Sequence, residues 1–290
     1  MKIGVFGSEF KAEKLPVVTG LFDKLNSLDT EVYIQSQYYD ILVSNYNFSP
    51  QNSGLIDDEV KNMDIVLSVG GDGTFLRTAL QLNKENIPIL GINIGRLGFL
   101  ADISSDQIND TLDEIFRGEY RIEERSLLRM FTEERAFGGF NYALNEIAIL
   151  KRETSSMITI HTYLNDEYLT SYLADGLIVS TPTGSTAYSM SVNGPILLPQ
   201  NKNFILSPVA PHSLTVRPIV IPDTFTIMLK VESRTNSFLV SLDGRSEDIP
   251  VDITLKISRS NFVTRVVKRL NQSFYKTLRE KLMWGKDVRS

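Results

Sequence analysis

The sequence has no cysteine in its 290 residues, which excludes disulfides, thiolate metal sites and cysteine nucleophiles and permits a reducing compartment. It has two histidines, His161 and His212. Two are too few for a multi-histidine metal site, and neither has partners at ligand spacing, so structural roles are expected for both. Positive charge is also lacking: the formal net charge of −5 leaves no overall field to hold nucleic acid. Any phosphate must therefore be handled locally. Apolar runs stay well short of the roughly 18 residues that a bilayer span needs. The opening MKIGVFG enters a strand-like run without the features of a signal peptide. A cytoplasmic protein with no membrane partner is expected. No repeat of fixed period and no low-complexity segment occur.

Apolar residues make up 42% and charged residues 22% of the chain, the balance of a globular protein, and the length suits two domains. The first third alternates strand and helix patterns. Lys2 to Phe6 is strand-like, and Val17, Val18, Leu21, Phe22 and Leu25 recur at helix spacing. Residues 38–54, rich in Asn, Ser and Tyr, read as a loop. Asp64 to Val69 and Ile87 to Ile92 read as buried strands, with a helical pattern through Phe75, Leu76, Ala79 and Leu80 between them. Ser104 or Ser105 can cap a helix carrying Ile108, Leu112, Ile115 and Phe116, and Gly118 can end it. These predict an α/β domain over 1–120 with an open, mostly parallel sheet.

From Glu119 a charged stretch, expected to be a solvated linker face, leads into a mainly β domain over 121–267. Its strand candidates are Tyr142 to Leu150, Met157 to Leu164, Leu177 to Thr181, Thr224 to Val231, Ser237 to Leu242 and Val251 to Ile257. Asn165-Asp166 suits a tight hairpin turn. A helix carrying Phe274, Leu278 and Leu282 within 268–290 is expected to return to the first domain.

Three segments carry chemistry. Gly70-Gly71-Asp72-Gly73-Thr74 follows a strand and opens a helix. Successive glycines there permit positive φ angles that aim amides at one point, and the helix start adds free donors, so an anion can be cradled. The embedded Asp72 is electrostatically wrong for holding phosphate alone. It becomes sensible if it takes a proton from an attacking hydroxyl or engages a metal that travels with phosphates. Neither GxxxxGK[ST] nor GxGxxG is present. Asn93 to Phe99 follows the next strand and would lie at the same sheet edge. The third segment, 175–189, pairs an apolar strand with the hydroxyls of Ser180, Thr181, Thr183, Ser185, Thr186, Tyr188 and Ser189. These suit ribose and phosphate oxygens, or local backbone bonds.

With GGDGTFLR at 70–77, NIGRLGFL at 93–100, LNEIAI at 144–149, DGLIVSTPTGSTAYSMSVNGPIL at 175–197, SLTVRPIVIP at 213–222 and SFYKTLREKLMWG at 273–285, the chain resembles the bacterial NAD kinases over nearly its whole length. GGDGT is shared with diacylglycerol kinase-like and phosphofructokinase-like proteins. The TPTGSTAYS block with Asn145-Glu146 is more selective. The resemblance implies phosphorylation of the 2′-hydroxyl of the adenosine ribose of NAD by a nucleoside triphosphate such as ATP, with Asp72 as catalytic base and Gly73 beside it. It implies Phe99 at the adenine ring, Asn145 and Glu146 on ribose hydroxyls, and Asp175 at the nicotinamide end. Thr183, Thr186, Ala187, Tyr188, Ser189, Met190 and Ser191 would line the site, with Arg77 and Ala210 as further nucleotide contacts. A divalent cation, Mg or Mn, and a homotetramer are implied as well. The chain departs from common family residues at Arg245, Leu173 and Ser156. The alternatives are a lipid or sugar kinase sharing GGDGT, and a non-catalytic NAD-binding regulator.

Overall fold

A computed structural model describes residues 1–57, 60, 62–82, 85–132, 136–153 and 156–285. The chain forms two compact units, one of Met1–Glu124 with Thr264–Ser290 and one of Arg125–Val263. The first unit opens with β1 (Lys2–Gly7), α1 (Leu15–Asn26), β2 (Glu31–Gln35), α2 (Ser36–Tyr46) and β3 (Gly54–Ile56). It continues with β4 (Ile65–Gly70), α3 (Asp72–Leu82), β5 (Ile89–Asn93) and α4 (Ile108–Phe116). β6 (Tyr120–Phe131) leads into the second unit, which holds β7 (Tyr142–Ala143), β8 (Glu146–Leu150), β9 (Ile158–Leu164), β10 (Glu167–Ala174), β11 (Gly176–Ser180) and α5 (Tyr188–Ser191). There follow β12 (Asn203–Val209), β13 (Ile219–Pro222), β14 (Ile227–Glu232), β15 (Ser237–Leu242), β16 (Arg245–Pro250) and β17 (Leu255–Arg269), whose last residues return to the first unit together with α6 (Phe274–Leu282).

In the first unit the strand order is β17-β5-β4-β1-β2-β3, and every pairing is parallel. β4 and β5 are buried along their whole length, as strands covered on both faces must be. Leu67 and Val69 join a core with Val18, Leu21 and Leu25 of α1 and Leu112 and Ile115 of α4. Ser68, pointing the other way, bonds to Thr78 of α3 at 3.1 Å. From β1 the chain steps outward through β2 to β3 and then crosses to β4 on the other side. The sheet therefore has its topological switch point between β1 and β4, where the carboxyl ends of strands leave a crevice. Ser8, just past β1, bonds to Thr74 just past β4 at 2.7 Å.

Residues 38–54 are not a loop throughout. Ser36–Tyr46 is a helix that buries Tyr38 and Leu42 one turn apart and ends on Asn47 in the left-handed region at φ 51°. Gly7 leaves space for this helix, since a Cβ there would lie 2.3 Å from the Tyr38 ring. Ser104 and Gln107 form a reciprocal capping box on the 3₁₀ turn Ser105–Gln107 that leads into α4, and Gly118 follows the helix at φ +73°.

The second unit stacks two antiparallel layers, β10-β9-β14-β17 and β13-β12-β11-β8-β15-β16. Ile158, Ile160, Leu229 and Ile257 from the first layer meet Ile147, Leu177, Phe204 and Val240 from the second in one core. Asn165 and Asp166, both at positive φ, turn β9 into β10 as expected. The charged run after Glu119 is a strand, not a linker face: in β6 Arg125, Leu127, Leu128 and Met130 are buried. Residues 133–135 of that run lie outside the described residues. The expected strand at 251–257 starts only at Leu255, because Val251 and Asp252 form a turn; an unpredicted strand, Arg245–Pro250, precedes it, joined to β15 by a tight turn at Asp243-Gly244 with φ 48° and 84°.

Two glycines carry opposite predictions. A Cβ on Gly91 would lie 2.5 Å from the Leu100 carbonyl oxygen and 2.7 Å from the Ala101 Cα, so Gly91→Ala is expected to lower stability by about 1–3 kcal/mol. Gly20 sits within α1 with nothing within 4 Å of a Cβ, so Gly20→Ala is expected to add about 0.4–1 kcal/mol. Urea unfolding midpoints of both variants check the two signs.

Candidate active site

In the first unit Asp72 is the opening residue of α3, half-buried at the switch point. Its carboxylate accepts three consecutive amides from the loop after β5. Phe99 donates to Oδ2 at 2.9 Å, while Leu100 and Ala101 donate to Oδ1 at 3.0 and 2.9 Å. Lys281 of α6 donates to Oδ2 at 3.2 Å. Burial pushes the Asp72 carboxyl up, but the amides and Lys281 outweigh it and hold it below its ordinary value. The side chain is thus an anion at neutral pH.

The glycines around it act through space more than through φ. Gly71 and Gly73 are absent from the positive-φ residues, so the expected amide-aiming φ angles are not adopted there. Gly70 admits the Thr74 hydroxyl, which a Cβ would meet at 2.3 Å, and Gly98 admits Asp72, whose Oδ1 a Cβ would meet at 2.0 Å. Gly71 and Gly73 leave bare backbone at the helix start: a Cβ on Gly71 would meet nothing within 4 Å, and one on Gly73 nothing nearer than Arg77 at 3.9 Å. Free amides at the start of a helix can receive an anion. Arg77 turns back to the Thr74 hydroxyl at 3.3 Å. Phe99 packs at 6.0 Å on Phe274 of α6.

In the second unit, Asn145 lies between β7 and β8, and Glu146 opens β8. Asp243, in the β15–β16 turn, accepts the amides of Leu144, Asn145 and Glu146 at 2.6, 2.9 and 3.0 Å. The Asn145 carbonyl accepts the amide of Thr181 at 2.9 Å, and Gly184 lies so close that a Cβ would be 2.1 Å from that oxygen. The 183–186 turn is thereby pressed onto Asn145. Burial, and after it the charge of Asp243, push Glu146 up to about 8 against the pull of the Tyr188 amide. Its Oε2 is buried without a partner. Such an atom calls for a donor from outside the protein or for a proton of its own.

The hydroxyl-rich segment divides by use. Ser180, Thr181, Ser185 and Ser189 are fully buried, and their hydroxyls bond to Asn145, Leu144 and Pro182 carbonyls and to Ser207. Thr183 is buried in the same turn, whose carbonyl receives the Thr186 hydroxyl at 3.3 Å. Thr186, Ala187 and Met190 are half-exposed, and Tyr188 and Ser191 are exposed. The structure thus gathers Asn145, Glu146 and the 183–191 segment. Asp175 stands apart from them, paired with Lys151 at 2.6 Å, with Val209, next to Ala210, accepting its amide. Ala210 is exposed and held at φ 43°.

Arg245 donates to the carbonyls of Phe140 and Tyr142 at 2.7 and 2.6 Å, a backbone clamp. Leu173 is partly exposed on β10, and Ser156 is half-buried. His161 bonds to Ser171 and Glu232, and the His212 amide to the Leu173 carbonyl. Sequence reasoning missed Asp243 and Lys281. An Asp-Gly pair between two alternating runs was the available signal for the first. The seven-residue spacing from Phe274, which puts both residues on one helix face, was the signal for the second.

A raised carboxyl costs stability as it ionises. Above its unfolded value the unfolded chain has released a proton that folded Glu146 keeps until about pH 8, so the unfolding free energy falls as pH rises through that window. Glu146→Gln is expected to flatten this fall, with burial-raised Asp243 supplying what slope remains. Denaturant unfolding at pH steps from about 5 to 8 checks it; equal slopes in both proteins contradict the assignment.

Residues 12–120 match the model of the ATP-NAD kinase N-terminal domain, and 144–269 that of the ATP-NAD kinase C-terminal domain. An NAD kinase of Bacteroides fragilis is 47% identical, with full coverage of both chains, and one of Porphyromonas gingivalis is 46% identical with 99% of each covered. The crystal structure of yeast NADH kinase complexed with NADH shares the fold at a TM-score of 0.87 and 21% identity, over 100% of this chain and 89% of that one. An NAD kinase from Archaeoglobus fulgidus in complex with ATP aligns at a TM-score of 0.77 and 27% identity, over 98% and 99% of the chains. With conserved length, both domain models and both loops in place, the chain belongs to the NAD kinase family.

Proposed function

We propose that the protein transfers the terminal phosphoryl group of ATP to the 2′-hydroxyl of the adenosine ribose of NAD, giving NADP and ADP. The observation that carries this reading is Asp72, held ionised at the bare N-terminus of α3 beside the switch point. The ribose oxygen bonds to the γ-phosphorus as the bridging P–O bond to ADP breaks, and the hydroxyl proton passes to Asp72. A carboxylate of lowered pKa is a modest base. That suffices for a loose, metaphosphate-like transition state, in which the attacking hydroxyl gives up its proton late. The first-turn amides of α3 hold phosphate oxygens, with Gly73 leaving them uncovered and Arg77 near by.

Asn145 and Glu146 hold ribose hydroxyls in this reading, supported by the partnerless Glu146 Oε2. Phe99 meets the adenine ring and Asp175 the nicotinamide end, while Thr183, Thr186, Ala187, Tyr188, Ser189, Met190, Ser191 and Ala210 line the nucleotide. Ser189 acts through backbone, because its hydroxyl is engaged by Ser207. Among the described residues there is no group of three or more His, Cys, Asp or Glu that could hold a metal ion, and the Asp72 oxygens already meet four donors. The residues do not build a resident metal site; Mg or Mn belongs to the nucleotide as substrate. A cytoplasmic homotetramer completes the proposal, in keeping with the absence, among the described residues, of any helix long and apolar enough to cross a membrane; light scattering tests the tetramer.

Purified protein with NAD, ATP and Mg²⁺ is expected to form NADP, and no NADP from an otherwise folded preparation contradicts the proposal. Asp72→Asn is expected to cut turnover by about 10²- to 10⁴-fold while calorimetry shows a far smaller change in NAD affinity. An unaltered rate would remove Asp72 from the reaction.

A further inference from the structure

The four donors around Asp72 fill its capacity. A carboxylate has roughly four lone-pair sites, and Phe99, Leu100, Ala101 and Lys281 supply four hydrogen bonds. Nothing is left to accept a proton from a substrate hydroxyl. Three of these donors are backbone amides of one tightly built loop. Lys281 is different in kind: its ammonium ends a flexible side chain that is 29% exposed.

The helix that brings it there is firmly seated. The Ser273 hydroxyl caps α6 by accepting the Lys276 amide at 3.2 Å, and buried Thr277 accepts from the Gln272 side chain at 3.1 Å. Arg121 donates to the carbonyls of Arg269 and Gln272, both at 2.7 Å. Phe274 packs on Phe99, and two turns later Lys281 lies 4.4 Å over the centre of the same ring, where a cation is favoured.

Resting on the phosphoryl-transfer reading above, we propose that Lys281 is a catalytic residue that exchanges partners: in the unliganded protein it occupies the Asp72 lone pair that the ribose hydroxyl needs, and the incoming triphosphate draws it off. The exchange does two things at once. It opens Oδ2 to the hydroxyl, and it delivers a cation to phosphate oxygens gathered at the start of α3. A triphosphate carries more negative charge than one carboxylate, and the ammonium has three donors to redistribute. Arg77 on α3 is turned to Thr74, and among the described residues Lys281 is the charged side chain hydrogen-bonded to Asp72.

The test uses the full chain with Lys281→Met and Lys281→Arg, each checked for an unchanged thermal unfolding midpoint. In ligand-free protein, the Asp72 carboxyl followed by ¹³C NMR is expected to titrate about one pH unit higher in Lys281→Met and near wild type in Lys281→Arg. By calorimetry, a non-hydrolysable ATP analogue with Mg²⁺ is expected to bind about tenfold more weakly to Lys281→Met, with NAD affinity not reduced and Lys281→Arg restoring most of the loss. An unmoved Asp72 titration overturns the occupancy, and unchanged analogue affinity overturns the transfer to phosphate. Faster turnover in Lys281→Met with unchanged analogue affinity would make Lys281 an inhibitory contact instead, also against the proposal. Both readouts are independent of turnover, so wild-type protein that makes no NADP would sink the phosphoryl-transfer reading while the exchange is still decided.

Discussion

The capture of three consecutive amides by the Asp72 carboxylate sets the geometry of the edge of the first unit where β4 and β5 end. Residues 99–101 can present their N–H groups to one side chain only if the chain turns back sharply and comes very near, and the glycines mark where it does. Gly98 lets the loop touch Asp72, and Gly91 lets Leu100 and Ala101 lie against β5. The next residue, Asp102, is buried with Lys268 of β17 at 2.7 Å. Removing either partner would strand a charge in the interior, so this pair resists any shift of the loop. Carboxylate, loop and strand are a chain of constraints in which each link fixes the next.

The second unit repeats the device with the opposite outcome. Asp243 also collects three consecutive amides, those of 144–146, but burial pushes its carboxyl up despite them. Asp72 keeps an exposed edge and gains a lysine, and its carboxyl is held down. The same hydrogen-bond pattern therefore gives one aspartate suited to meeting substrate and one whose work is to shape a loop. The charge of Asp243 is also felt next door, where it adds to burial in raising Glu146. A neutral Glu146 can donate as well as accept, which suits a ribose hydroxyl better than a bare anion would.

Periodicity made much of this fold legible. The apolar runs of β4 and β5, the capped helix at 108–116 and the Asn165-Asp166 hairpin each carried a signal whose cause is local: side-chain alternation, a capping hydroxyl, residues tolerant of positive φ. α2 and β6 were misread. α2 is polar over most of SQYYDILVSNY, and its two anchors, Tyr38 and Leu42, show their meaning only against Gly7 and the sheet. β6 carries charges at alternate positions that look solvated, yet Arg125 is buried. In the site, residue types and loop position pointed to Asp72, and the family resemblance pointed to Asn145 and Glu146. Asp243 and Lys281 carried only a turn signal and a helix-face signal, because what distinguishes them is the identity of the groups they meet, and those lie far away in sequence.

On the phosphoryl-transfer reading the Asp72 loop poses an electrostatic puzzle, since a bare carboxylate at the start of α3 would repel the very anion that the helix attracts. The resolution lies in where its charge is spent. Three amide dipoles and an ammonium point at Asp72, so much of its field is cancelled within a few ångströms, while the bare backbone at Gly71 and Gly73 still presents donors outward. The anion stays ionised because those donors favour it, and it is tolerable beside phosphate for the same reason. Of the four compensating groups only the ammonium can follow the negative charge as it arrives. On the proposed reading, that asymmetry lets one carboxylate be part of the loop's architecture and also a group that receives a proton.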